Sequence, residues 1–195
     1  VQEVEILQEK IRSKDEVVER ALVLFGVSLI GLNYSKRKTA YAWLERHGLI
    51  PSLTELEAIF VNDRKASKRD CICYSWQFER LVVLLWCLGA VESLPAEDSQ
   101  CDTQGFQSFF LPMSTSSVEE FKERVVLREE DQLFTMQERM EAFHWEARNA
   151  KAHNCAPKKP VDLDVIQERH HAINWVVGHL GQDWDSITCD TAIGL

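Results

Sequence analysis

The sequence lacks an apolar run long enough to cross a bilayer. Its longest, LVVLLWCLGAV at residues 81–91, is about half of the roughly 20 residues a span requires, so a buried helix is expected there. No stretch alternates apolar and polar residues with period two, which argues against a half-buried sheet. Also missing are a phosphate-binding glycine loop, a dinucleotide fingerprint, an HExxH helix and a nucleophile elbow, so no familiar catalytic pattern is complete. The opening stretch VQEVEILQEKIRSKDEVVER is charged throughout and has no apolar core or cleavage site, so no secretory signal is expected. Positive charge is scarce too: 22 Lys and Arg stand against 31 Asp and Glu, a net charge of −9. The basic clusters at residues 36–38 and 64–69 read as solvated turns in that field, and neither a nucleic-acid nor a membrane partner is expected.

The six cysteines form no CxxC pair. Cys71 and Cys73 lack the second pair of thiols or imidazoles that a structural zinc site requires, and Cys87 sits inside the most apolar run as a small hydrophobe. Free thiols in a reducing cytoplasmic setting are the expectation. His170 and His171 have Asn174 and Trp175 four residues on, which is no ligand pair. A calcium loop beginning at Asp183 fails because Ile187, Thr188 and Gly194 occupy positions that need an oxygen ligand, a glycine and a bidentate glutamate. No metal and no cofactor are expected.

Helical punctuation is plentiful. Ser13 with Glu16 has the spacing of a capping box and precedes VVERALVLFGVSLIGL, so a helix is predicted over 14–32. A second helix follows Ser35 and stops at Gly48, and a third starts from Ser52 and Glu55 and ends near Asn62. Residues 71–89 read as one helix with Ile72, Trp76, Val83, Trp86 and Ala90 on one stripe. A loop follows Pro95, and Phe106, Phe109, Phe110 and Leu111 form an apolar patch. Another helix begins at Ser117 and pauses near residues 129–131. A longer helix carries Leu133, Met136, Met140, Phe143, Ala147 and Ala150 at heptad-like steps. Asp162 or Asp164 caps the last helix, which runs to Leu180 and is stopped by Gly181. The prediction is an all-α single globular domain over 1–195, with about seven helices around two central apolar ones at about 71–90 and 163–180.

Three polar residues fall on apolar stripes: Arg20, Glu79 and His170. Each needs a partner, because an unpaired buried charge costs several kcal/mol or loses its charge. Two arrangements satisfy them. Either they converge in a cleft, with Glu79 as general base and His170 as acid or orienter, or they pair internally and knit helices together. In the tail, HLGQDWDSITCDT (residues 179–191), Asp183, Asp185 and Asp190 are suited to accept local backbone N–H bonds, with Trp184 as an anchor that clamps the tail to the core.

The closing block, Glu168-Arg169-His170, Asn174-Trp175, Gly178, Gly181-Gln182-Asp183-Trp184-Asp185 and Asp190-Thr191, resembles the C-terminal signature of a mainly bacterial family, domain of unknown function 4272. Ser75-Trp76, Glu79, Leu84-Leu85-Trp86 and Leu88-Gly89 resemble its central motif. Val17, Arg20, Ala21, Leu94-Pro95 and Cys101-Asp102 extend the likeness over essentially the whole chain. Gln77 stands where the family commonly has Arg, and His171 where it has an aromatic. The resemblance brings no established activity. It marks Arg20, Trp76, Glu79, Arg169, His170, Asn174, Gln182, Asp183, Trp184, Asp185 and Asp190 as the residues to follow. The expected function is a non-enzymatic cytoplasmic interaction module, an acidic regulator or immunity-type protein that engages a basic partner. The alternative is a small enzyme, such as a hydrolase, built on Glu79, His170 and the Asp183, Asp185 and Asp190 carboxylates.

Overall fold

Ser13 accepts the backbone N–H of Glu16, and the Glu16 carboxylate accepts that of Ser13, so the first helix starts where its capping box places it. The computed structural model describes residues 10–105 and 115–189, of which 115–117 are described by backbone alone. Among them are eight α-helices and no strand: α1 (Lys14–Leu32), α2 (Arg37–Arg46), α3 (Glu55–Asn62), α4 (Lys68–Ser75), α5 (Gln77–Cys87), α6 (Thr115–Arg124), α7 (Glu130–Ala152) and α8 (Leu163–Val177). None of these helices is long and apolar enough to cross a membrane. The apolar patch expected at Phe106, Phe109, Phe110 and Leu111 lies outside the described residues, as do Asp190 and Thr191.

α1 joins α5 and α8, which lie in the regions expected to be central at 71–90 and 163–180, in forming the core. Every residue from Val17 to Gly31 except Glu19 is buried, and α1 packs on α2, α4 and α5. Two glycines permit this. A Cβ on Gly26 would meet the Leu44 side chain at 2.8 Å, and one on Gly31 would meet the α4 backbone, 2.5 Å from the Ser75 nitrogen. α5 packs against both α1 and α8, and α7 covers the other side of α8.

The helix expected over 71–89 is two helices, which accounts for eight against seven. Ser67 and Asp70 form a capping box that starts α4 three residues early. The Ser75 hydroxyl then donates to the Ile72 carbonyl at 2.7 Å, and the chain breaks at Trp76. Ser75 therefore closes α4. α4 has no fully buried residue, so only the α5 half of the expected central helix is core. Two further boundaries move. α3 is capped by Thr54 with Glu57, two residues beyond the expected Ser52 and Glu55. α8 stops at Gly178, in the left-handed region at φ 75°, three residues before Gly181. Incoming residues 10–12 force that stop: Arg12 donates its N–H to the Val176 carbonyl at 2.9 Å, and a Cβ on Gly178 would sit 2.2 Å from the Lys10 carbonyl oxygen. Leu180, expected as the last residue of this helix, lies beyond its end and is half exposed.

Gly31→Ala is expected to destabilise the protein by about 1–3 kcal/mol in urea titration, because the added methyl meets helix backbone that cannot rotate away. Gly48→Ala, at φ 68° with no neighbour within 4 Å of a built Cβ, is expected to lose only about 1 kcal/mol from backbone strain.

Candidate functional site

The three polar residues of the apolar stripes are buried, and each has a different partner. Arg20 on α1 donates from Nη2 to both carboxylate oxygens of Glu57 on α3, at 2.6 and 2.7 Å. The same Glu57 carboxylate accepts the Thr54 N–H at 3.0 Å, so one side chain both caps α3 and fixes it to α1. Glu79 on α5 faces Arg169 on α8. Arg169 Nε and Nη2 reach Glu79 Oε2, both at 2.9 Å, and Glu79 Oε1 accepts the Cys101 N–H at 2.7 Å. The remaining Arg169 donors go to the carbonyls of Pro95, Ala96 and Ser99 at 2.8, 3.1 and 2.8 Å. Every guanidinium nitrogen thereby donates at least one hydrogen bond, and Nη2 also forms an ion pair with Glu79. His170 on α8 meets His144 on α7, Nδ1 to Nδ1 at 3.0 Å, so one ring donates and the other accepts. Burial, reinforced by His144, pushes the His170 pKa down to about 4 and keeps the ring neutral at pH 7.

His171 points to the opposite side. Its Nε2 lies 3.2 Å from Nη1 of Arg80, which can only donate, so Nε2 is the acceptor and the proton sits on Nδ1. Burial and the Arg80 charge push the His171 pKa down to about 2, against a hydrogen bond to the Trp184 backbone that acts the other way. Arg80 Nε also donates to Glu168. Among the described residues Arg80 Nη2 has no hydrogen-bond partner, and it is not a buried orphan, so it is open to solvent.

Arg80 stands at the junction of two cavities. One, of about 560 Å³, is lined by Arg80, His144, Arg148, Lys151, Gln167 and His171, with Leu163, Ile187 and Cys189 also on its wall. The other, of about 620 Å³, shares Arg80, Gln167, His171 and Ile187 with the first but is rich in carboxylates: Glu57, Asp70, Asp164, Glu168 and Asp185. Together they form a cleft between α4, α5, α7, α8 and the tail, with its described carboxylates gathered at one end.

The tail closes one side of this cleft. Trp184 is 4 % exposed. Its ring lies 4.9 Å from Arg20 Cζ and 5.8 Å from Arg80 Cζ, and edge-on to His171 and Trp175 at 4.9 and 5.2 Å. Gln182 accepts from Thr188 through both the backbone N–H and the hydroxyl, at 2.9 and 3.1 Å, and Asn174 Nδ2 donates to the Thr188 carbonyl at 3.1 Å.

The family model described as a domain of unknown function, number 4272, matches residues 4–187. The chain belongs to this family. No curated protein and no solved structure matches it.

The residues marked by the family resemblance therefore fall into separate groups. Arg20, Glu79, Arg169, His170 and Asn174 are buried in contacts between helices, and Trp76 sits at the α4–α5 junction on the rim of the acidic cavity. Glu79 also borders a recess of about 290 Å³ with Trp76 and Cys101, away from His170. Asp183 is exposed and its side chain makes no cap bond; its carbonyl accepts from Ser186 instead. The local acceptor role expected of the aspartates belongs to Gln182. Asp185 lines the acidic cavity, and Asp190 lies outside the described residues. Arg20, Glu79 and His170 thus do not converge, and of Glu79, His170, Asp183 and Asp185 only Asp185 faces the cleft. Among the described residues no group of three or more His, Cys, Asp or Glu is placed to hold a metal ion.

Sequence reasoning passed over Arg80, Glu57 and His144. Glu57 was visible as the residue three beyond Thr54. His144 was visible as the step of four from Met140 and three before Ala147; it is buried there, and Phe143, assigned to that stripe, is only half buried. Arg80 had no such signal, since its partners lie 88 and 91 residues away.

Breaking the central pair by Glu79→Gln is expected to lower stability by about 3–5 kcal/mol, since it leaves the Arg169 charge without its counterion. The double variant Glu79→Gln/Arg169→Met should cost less than the two singles summed, as read by a double-mutant cycle in urea. The histidines give a pH signature. His170 is ordinary at 6.5 when unfolded and about 4 when folded, so its contribution is intact above pH 6.5 and is lost as pH falls toward 4. His170→Gln should flatten stability against pH in that window by about 1.4 kcal/mol per pH unit, measured by denaturant titration from pH 4 to 7.

Proposed function

We propose that this protein is a non-enzymatic interaction module of a reducing, cytoplasmic setting that engages a basic protein partner. One observation carries the reading. On α7 the core stripe of Leu133, Met136, Met140 and Ala147 is buried, and the opposite face presents Glu138, Glu141, Ala142, Trp145 and Glu146. Those residues border a concavity of about 610 Å³ whose floor includes Phe143 and whose far wall is Lys158 and Lys159. Trp145 is an exposed aromatic inside an acidic ring, the arrangement in which a hot-spot side chain is flanked by charge that selects its partner. Phe143 already carries the Lys159 ammonium 5.4 Å from its ring centre, so the floor is suited to basic side chains. The net charge of −9 adds long-range attraction of the same sign.

The internal pairing of Arg20, Glu79 and His170 supports the same reading, because both carboxylate oxygens of Glu79 are already engaged, one by Arg169 and the other by the Cys101 N–H. The decisive comparison is affinity purification with the native protein and with Glu138→Lys/Glu141→Lys, both exposed positions. A strongly basic protein should be recovered with the native chain and depleted with the variant. With that protein purified, binding should weaken at least about tenfold in the variant and fall with added salt. If no basic protein is depleted by the charge reversal, or the purified one binds both forms equally, the reading is wrong.

A further inference from the structure

We propose that the carboxylate-rich end of the cleft binds a small aliphatic diamine as its dication, a function separate from the α7 face. The first reason is an acceptor without a donor. Gln77 opens α5 on the wall of the 620 Å³ cavity and is 9 % exposed. Its Oε1 is buried and meets no hydrogen-bond donor. A buried side-chain carbonyl left in that state carries a desolvation penalty, and an ammonium N–H brought in through the cavity is a donor that relieves it.

The second reason is the charge around that amide. Five carboxylates from four separate segments line the cavity: Glu57 from α3, Asp70 from α4, Asp164 and Glu168 from α8, and Asp185 from the tail. Two of them are already balanced, Glu57 by Arg20 and Glu168 by Arg80. Asp70 accepts from Ser67 and has the Arg69 charge nearby. Asp164 and Asp185 are exposed and form no ion pair among the described residues. The charge left over is therefore that of two carboxylates, which a dication neutralises. Their field reaches Tyr74 on the same wall: burial, with Glu57, Asp185 and Asp70 acting in the same direction, pushes its hydroxyl up to about 12.

The third reason is the spacing of those charges, which selects an extended cation over a compact one. Among the described residues no three His, Cys, Asp or Glu side chains are placed to hold one metal ion, so these carboxylates share a cavity without converging on a point. A chain with a charged nitrogen at each end reaches acceptors that a single ion cannot bridge. The wall also suits what lies between the nitrogens. Leu56, Ile187 and the rings of Tyr74 and Trp76 border the same space, where methylenes pack and an ammonium group meets aromatic carbon.

Isothermal titration of the full chain with putrescine tests the proposal, with butylamine, butanediol and magnesium chloride as controls at matched ionic strength. Putrescine is expected to bind at least about tenfold more tightly than butylamine or Mg²⁺, and butanediol not at all. Asp164→Asn/Asp185→Asn, both at exposed positions, should weaken putrescine binding about tenfold. Gln77→Leu removes an unmet acceptor, so it should keep its stability in urea and yet bind putrescine several-fold more weakly, a loss that a merely structural glutamine would not produce. Asp183→Asn, an exposed carboxylate outside the cavity, should leave binding unchanged. Absence of putrescine binding, butylamine or Mg²⁺ binding as tightly, native affinity in Gln77→Leu or in the double variant, or an equal loss in Asp183→Asn would each overturn the assignment.

Discussion

The buried guanidinium of Arg169 is the constraint on which the rest of the molecule depends. It is fully enclosed, and a charge in that position is tolerable only if each of its donors is met. Glu79 supplies the countercharge from α5, and the loop of residues 95–101 supplies three carbonyls and, through Cys101, the N–H that completes Glu79. α5, α8 and that loop are thereby held in one register. A shift of α8 by one residue would strand the charge, so the interaction selects this packing even where its net contribution to stability is small.

That register distributes the two adjacent histidines. With Arg169 turned toward Glu79, His170 meets His144 on α7 and His171 meets Arg80 and the tail. Trp184 then fits between Arg20 and Arg80, and so links the Arg20–Glu57 pair of α1 and α3 to the cleft. The outward face of α7 is acidic and aromatic, and its last turns, turned toward α8, carry Arg148 and Lys151.

Much of the helical framework was legible because it is written locally. A capping box needs residues three apart, and Ser13 with Glu16 located α1 without reference to anything else. Two local caps were misplaced, at Thr54 and Ser67, and the other errors arose where a distant segment decided the outcome. Gly178 ends α8 because residues 10–12 cross it, and α4 separates from α5 beside the point where α1 presses Gly31 against the α4 backbone. Neither event leaves a trace in the periodicity of the helix it alters.

The sequence by itself determined that the chain is helical, that it is acidic, that it carries the marks of its family, and that Arg20, Glu79 and His170 would sit on apolar faces and require partners. These follow from composition and from spacing within single helices, which the 3.6-residue repeat converts directly into faces. Only the tertiary structure decided which partners they take. Arg20 with Glu57, Glu79 with Arg169 and Arg80 with Glu168 join residues 37 to 90 positions apart, and helix packing alone brings them together. The same packing divided the tail, burying Trp184 between two arginines and turning Asp185 toward the cleft. Pairing energy falls steeply with distance in space and takes no account of separation along the chain, so the identity of each partner is a property of the fold.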